Sequence, residues 1–352
     1  MAPSLPPLPA ALQTTLQPFR PLFHAATWPV FLCVLTGLLT GHTTLACVRA
    51  SLLCATVSWQ RCCNFFRRAR WSRTAFLQAT TALVLRSLYP DGLPARLWWV
   101  VDTTTSDKPS ARKVFGSRTF WRGCRRPGQT RTHQGHGWLL LAHLYQRPDR
   151  SWQALLIGGL LWLQLRCAPP SRLTGVLLAQ LHLPPHVRHV VVSDRGLNSC
   201  QMVRALRAQG CHSVTRLKRN TVVYTPAPVP ATRGRGHPRK YGTKYRVDAL
   251  DRQLLTPTPV TVWVDGQWEP ATAWRGTFWR KQVPEVVTIV IVETAKRAPW
   301  YLQATDATLT SEEIVAGYHG RHAIEPAIQQ ANALGLDQYH GRTARGGGAG
   351  RC

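Results

Sequence analysis

Apolar residues recur every three or four positions at Phe31, Leu35, Leu38 and Leu39, again from Leu45 to Val57, and again from Phe76 to Leu88. That spacing lays an apolar stripe along one side of a helix, so residues 1–95 are predicted to form an α-helical N-terminal domain. From about residue 96 the pattern changes. Leu97–Val101, Trp138–Tyr145 and Trp152–Gly158 are short apolar runs set between polar or turn residues, and they read as strands. Ser171–Leu181 returns to helical spacing, and Val190-Val191-Val192-Ser193 is a further strand. Ser199 then caps a helix whose end is marked by Gly210, and Ser213–Leu217 reads as another strand.

Three strands, a helix and a strand closed by an acid are the order of a ribonuclease-H-like α/β core, with its first part over residues 96–219. Residues 220–285 interrupt it. They are rich in Pro and Gly early and alternate later, as in Val260-Thr261-Val262-Trp263-Val264 before the hairpin signal Asp265-Gly266, so a β-rich insertion is expected. The core resumes over residues 286–342 with strands at Val286–Val292 and Trp300–Ala304, followed by a helix. Residues 343–352 are Gly-rich, low in complexity, and expected to be a disordered tail.

Charge narrows the function. The chain of 352 residues carries 44 Lys and Arg against 16 Asp and Glu, a net charge of +28. Such an excess attracts a polyanion, and releasing condensed counterions from phosphates drives the binding. Residues 1–90 contain eight Arg and no acid at all. Arg67, Arg68, Arg70 and Arg73 gather there around Phe65, Phe66 and Trp71, which reads as a DNA-contacting surface. The ten cysteines form no C-x-x-C pair and read as reduced, mostly buried thiols in a cytoplasmic protein. The apolar run Trp28–Thr40 stops short of the roughly 18–20 residues a membrane span needs, so no membrane partner is expected.

With acids so scarce, the placement of three of them is informative. Asp102 closes the run Leu97–Val101, Asp194 closes Val190–Ser193, and Glu325 lies on the helix that opens with a capping box at Thr310-Ser311-Glu312-Glu313. Ile314, Tyr318, Arg321, Glu325 and Ile328 share one face of that helix. A plain Arg321–Glu325 surface pair, worth roughly 0.2–0.5 kcal/mol, is the alternative use of the same residues. Asp107 in a polar loop, Asp306 at the turn before the helix and Glu293 in a surface pair are rival acids expected to play structural parts.

Tyr318-x2-Arg321-x3-Glu325 resembles the start of the Y-x2-R-x3-E-x6-K signature of bacterial insertion-sequence DDE transposases. Asp102-Thr103-Thr104 resembles that family's first catalytic block, and Val191-Val192-Ser193-Asp194-Arg195-Gly196 its second. Phe65–Trp71 and Leu334–Tyr339 are further echoes. The resemblance implies metal-dependent DNA cleavage at element ends and strand transfer into target DNA. It implies Asp102, Asp194 and Glu325 as catalytic ligands of two Mg²⁺ ions, which Mn²⁺ can replace, and Tyr318 and Arg321 as phosphate contacts near the cut end. Gly196 would let the chain leave its strand sharply. The partners implied are double-stranded DNA carrying terminal inverted repeats, target DNA, and a second copy on DNA as a homodimer, in a bacterial nucleoid.

Two positions depart from the signature: Asn332 stands where the family has lysine, and Pro326 directly after Glu325 predicts a kink or a re-aimed glutamate. Together with the abrupt ending they support the alternative of a catalytically inactive, truncated remnant that only binds DNA. Additional DNA contacts are read at Arg233, Arg235, Arg239 and Lys240, either as a minor-groove arm or as a plain phosphate-binding loop. Lys218 and Arg219 are read as backbone contacts. Arg118, Arg122, Arg125, Arg126 and Arg131 read as positioning contacts, and His133 and His136 as phosphate or turn hydrogen bonds.

Overall fold

The computed structural model describes residues 10–40, 57–68, 70–107, 116–121, 130–162, 169–228, 239–264 and 266–336. Helices α1 (Ala10–Leu16), α2 (Trp28–Leu39), α3 (Trp59–Arg68) and α4 (Arg73–Leu88) come first. Phe19, Phe23, Val30, Cys33, Cys62 and Phe65 close a largely aromatic core between them. Helix α4 serves two cores. Its Phe76, Ala79 and Leu83 pack on that cluster, while Leu77 and Leu85 pack against the sheet that follows. Arg73 ties the start of α4 to the Gly159 carbonyl at 2.8 Å. Cys33 departs from the expectation of reduced thiols, since it is disulfide-bonded.

The sheet is mixed. Strands β1 (Arg96–Asp107), β3 (Thr132–Gln146) and β4 (Trp152–Leu161) form an antiparallel meander, and β5 (Arg188–Ser193) and β6 (Cys211–Arg216) run parallel to β1. Short β2 (Arg118–Trp121) pairs with the start of β3. Helix α5 (Pro170–Ala179) makes the crossover into β5, and α6 (Cys200–Ala208) connects β5 to β6. Ser199 caps α6 by accepting from the Met202 amide, as the sequence predicts. Gly210 sits at φ +70°, where a side chain would strain the backbone.

Two departures concern lengths. The polar stretch expected between the first two strands is partly strand: β1 runs on to Asp107, which pairs with Gly135 of β3. Asp107 is therefore held in a ladder rather than a loop. Residues 222–279 supply β7 (Val222–Pro226), β8 (Tyr241–Arg246), β9 (Thr256–Val264) and β10 (Gln267–Trp279). These do not stand apart, because β10 pairs with β11 (Val286–Glu293) over eight positions and joins them to the central sheet. Strand β12 (Trp300–Ala304) then pairs with β6 and closes the link. The strand order is thus β2-β3-β1-β5-β6-β12-β11-β10-β7-β8, with β4 on β3 and β9 on β10.

Helices cover the sheet on both faces. Leu177, Leu178, Met202 and Leu206 of α5 and α6 pack with Trp99, Val101 and Val191 on one side. On the other side α7 (Ser311–Gly320) and α8 (Ile324–Ala333) pack Ile314, Tyr318 and Ile324 against Val100, Val190 and Val192. The capping box at Thr310 and Glu313 forms with both of its bonds. The single helix expected beyond it is interrupted: residues 321–323 tighten into a 3-10 turn between α7 and α8. Pro326 accounts for this, since it has no N–H for the His322 carbonyl and its ring crowds that carbonyl.

Helix α7 can lie close to the sheet because Gly317 has no side chain. A Cβ there would fall 2.4 Å from Trp98 Cζ3. Gly317→Ala is thus expected to lose about 1–3 kcal/mol of stability by overpacking, against the gain of up to about 1 kcal/mol that Gly→Ala brings in an open helix. Urea denaturation of the two proteins checks the sign; a stabilised Gly317→Ala variant contradicts this packing.

Candidate functional site

In the parallel pair β1–β5, Val100 lies beside Val192 and Val101 beside Ser193. One residue further along each chain, just past the end of this pairing, stand Asp102 and Asp194. Side chains alternate across a sheet, and the residues two back, Val100 and Val192, face α7 and α8. Both aspartates therefore point to that helical layer. The ladder to β3 continues past Asp102, which pairs with Leu140, so Asp102 is at a strand end only with respect to β5. A backbone paired on the other side fixes it more firmly than a loop would.

The helical layer supplies the partners. Arg321, in the 3-10 turn, donates from Nη1 to Asp102 Oδ2 at 3.3 Å, and Tyr318 donates its hydroxyl to Asp194 Oδ1 at 3.5 Å. The Thr103 amide donates to Asp102 Oδ1 at 2.7 Å. The alternative, an Arg321–Glu325 surface pair, does not form. The tight turn carries Arg321 inward, where its side chain is 10% exposed, and leaves Glu325 outward at 58%, with Oε1 3.3 Å from His322 Nδ1.

Burial pushes the Asp102 carboxyl above the usual carboxylate range; the Thr103 amide and Arg321 pull it down, and the like charges of Asp194 and Glu325 push it up again. All three acids thus share one electrostatic neighbourhood. They do not form a closed cage: among the described residues no group of three or more His, Cys, Asp or Glu side chains could hold a metal ion. Burial also raises the Tyr318 phenol, while Arg321 and Arg216 lower it, so the hydroxyl stays a donor at neutral pH. Arg216, the last residue of β6, is a member of this site that sequence reading passed over. Its signal was available, since it ends the strand next to β5 and has the parity of Val214, which packs on the α7 side.

The remaining expectations divide. Gly196 has ordinary φ, and a Cβ there would meet nothing within 4 Å, so the turn after Asp194 does not require glycine. Asp306 is structural: it is 1% exposed, bonds Arg188 at 3.1 Å and accepts from the Thr308 amide and hydroxyl. Glu293 binds Arg252 at 2.6 Å and the Trp274 indole at 2.7 Å. Asp107 lies 3.2 Å from His133 Nε2, and His136 is fully buried. Lys218 and Arg219 are exposed just past β6, and Arg239 and Lys240 just before β8, where Lys240 Nζ lies 4.1 Å from the Trp279 ring centre. Arg233 and Arg235 lie outside the described residues.

Because the Asp102 carboxyl is raised, its acid form favours the fold. That contribution is full below the unfolded carboxylate pKa of about 3.9 and is lost as pH rises through the higher folded value. Asp194→Asn removes one of the two like charges, so the Asp102 pKa is expected to fall toward the ordinary value. Carboxyl ¹³C NMR titration reads this directly, and an unchanged or higher value in the variant contradicts the coupling.

A family model described as DDE superfamily endonuclease matches residues 18–285. The matched span holds Asp102 and Asp194 and ends before α7, so Tyr318, Arg321 and Glu325 lie beyond it. No curated protein matches the chain. No helix among the described residues is long and apolar enough to cross a membrane. The family brings a ribonuclease-H-like α/β fold, with which this mixed, helix-covered sheet is consistent, and it brings action on DNA and general use of divalent metals. The chain belongs to the DDE superfamily of endonucleases.

Proposed function

We propose that the chain is a DDE transposase that cuts DNA at the ends of a transposable element and transfers the cut strand into target DNA. One observation carries this reading. Asp102 and Asp194 each stand one residue beyond the last β1–β5 register pair, Val101 and Ser193, and the residues bonded to them, Arg321 and Tyr318, belong to the same short segment as Glu325.

The donor set fits divalent metal. Hard ions such as Mg²⁺ and Mn²⁺ take carboxylate oxygens, and a carboxyl pushed up by burial, and further by two neighbouring acids, is one that a nearby cation would favour in its charged form. Asp102, Asp194 and Glu325 would hold the metal, which when bound activates the attacking oxygen and stabilises the leaving one. The chain's own residues prepare the rest. Asp102 is fixed within β1 and Asp194 directly follows the last residue of β5, so little ordering is left for the moment of reaction. Arg321 has a second nitrogen besides the one on Asp102, and a guanidinium can donate to two oxygens of a phosphate. Tyr318 holds Asp194 in orientation. His322 keeps Glu325 close to the turn, from which a rotation about its side-chain bonds brings it toward the aspartates. The excess of Lys and Arg holds the duplex through its phosphates, and joining two element ends calls for two copies of the chain.

A DNA-binding remnant is the second reading. It is favoured by Asn332, whose Oδ1 is buried without a hydrogen-bond partner, and by the break in the helix before Glu325. A nicking assay on the element's own ends, run with a gel shift, separates the two. The transposase nicks only with Mg²⁺ or Mn²⁺, and Asp194→Asn lowers nicking by about a thousandfold or more, a loss of several kcal/mol of metal-derived stabilisation, with the shift unchanged. Binding without any nicking by the unaltered chain establishes the remnant, and nicking retained in Asp194→Asn removes the assignment of this residue.

A further inference from the structure

The end of the central strands from which Asp194 follows also carries an open cavity of about 640 Å³, lined by Arg195, Lys218, Arg219, Asn220 and Arg246. These come from three separate segments: the turn after β5, the turn after β6, and the end of β8. Main-chain bonds close the turn after β6 and clamp it to the end of β8. The Thr221 amide donates to the Lys218 carbonyl at 2.9 Å, Val247 to Thr221 at 2.9 Å, and Asp248 to Arg219 at 3.1 Å. The nearby carboxylate, Asp248, is taken up on both oxygens by Arg246, at 3.1 and 2.6 Å. Among the described residues no carboxylate lies within ion-pair distance of Arg195, Lys218 or Arg219.

Like charges gathered by a rigid frame repel one another and gain from an anion. The lining also limits what that anion can be. It offers guanidinium and ammonium donors with one amide, and no aromatic ring on which a base could stack, so it suits phosphate rather than base edges. The cations also lead back to the candidate site. Arg195 follows Asp194 directly, and Arg216 acts on Tyr318 from the end of the same strand that leads into Lys218.

We propose that this cavity is a backbone-phosphate subsite, which grips the DNA strand a few nucleotides from the phosphodiester at Asp194 and Asp102. The inference rests on the transposase reading and adds to it the direction in which the strand leaves the site, toward β7 and β8.

The test measures fluorescence anisotropy of a labelled duplex bearing the element end, in EDTA, over a range of salt concentrations. The Lys218→Gln/Arg219→Gln variant is expected to bind more weakly, with a salt slope shallower by roughly 1.8, about 0.9 for each of two phosphates left without a cation. The weakening should be equal on an unrelated sequence, and Arg219→Lys should keep the slope. A single neutral methylphosphonate walked along the strand is expected to weaken the unaltered protein at one or two adjacent positions that no longer matter in the double variant. An unchanged slope, or methylphosphonate effects identical in both proteins, overturns the subsite while leaving the transposase reading intact. Failure of the unaltered protein to bind the duplex at all overturns both. Inorganic phosphate added at equal ionic strength distinguishes a small-anion site: competition that abolishes the slope difference without displacing the duplex also overturns the assignment to DNA.

Discussion

The parallel register of β1 against β5 is the constraint on which the candidate site depends. Two aspartates set just past the end of a parallel strand pair repel, and burial worsens that repulsion by removing water. The sheet holds them nonetheless, because Val100, Val101, Val190 and Val192 are fully buried on its two faces and a slip by one residue would turn every one of those side chains to the wrong face. Hydrophobic burial thus sets where the two charges stand, and it is burial first, with the like charge of Asp194 adding to it, that raises the carboxyl of Asp102.

The helical layer answers that cost with Arg321. Its position follows from a local conflict: the capping box starts α7 firmly, while Pro326 denies the helix a regular continuation. The chain resolves the conflict with a 3-10 turn at residues 321–323, which turns Arg321 inward and Glu325 outward. The same break that departs from a regular helix therefore supplies Asp102 with its positive partner. It also leaves Glu325 as the one acid of the three whose side chain is mostly in water, and hence the one with freedom to move.

Much of the core was legible because strands buried on both faces announce themselves as apolar runs. Strands β1, β3, β4, β5, β6, β11 and β12 all fall where such runs occur, and Ser199, Gly210 and Thr310 mark helix ends through chemistry confined to a few neighbouring residues. What stayed hidden depends on pairing between distant segments. The continuation of β1 to Asp107 exists because Gly135 and His136 lie opposite, and the polar sequence there has no strand pattern of its own. The docking of β10 onto β11 likewise arises from edges that only the folded chain brings together. At the site, Asp102 and Asp194 were legible as acids closing apolar runs. The choice by Arg321 of Asp102 over Glu325 was not, since both are equally plausible partners until the turn at 321–323 is known.

Metal binding itself tests the shared role of the three carboxylates most directly. Mn²⁺ titrated into the protein–DNA complex and followed by electron paramagnetic resonance counts bound ions without requiring turnover. If Asp102, Asp194 and Glu325 hold a common metal pair, the complex takes up two Mn²⁺ per chain, and each of Asp102→Asn, Asp194→Asn and Glu325→Gln weakens or abolishes that uptake. Uptake by Glu325→Gln indistinguishable from that of the unaltered chain would show that the outward-facing glutamate never joins the aspartates.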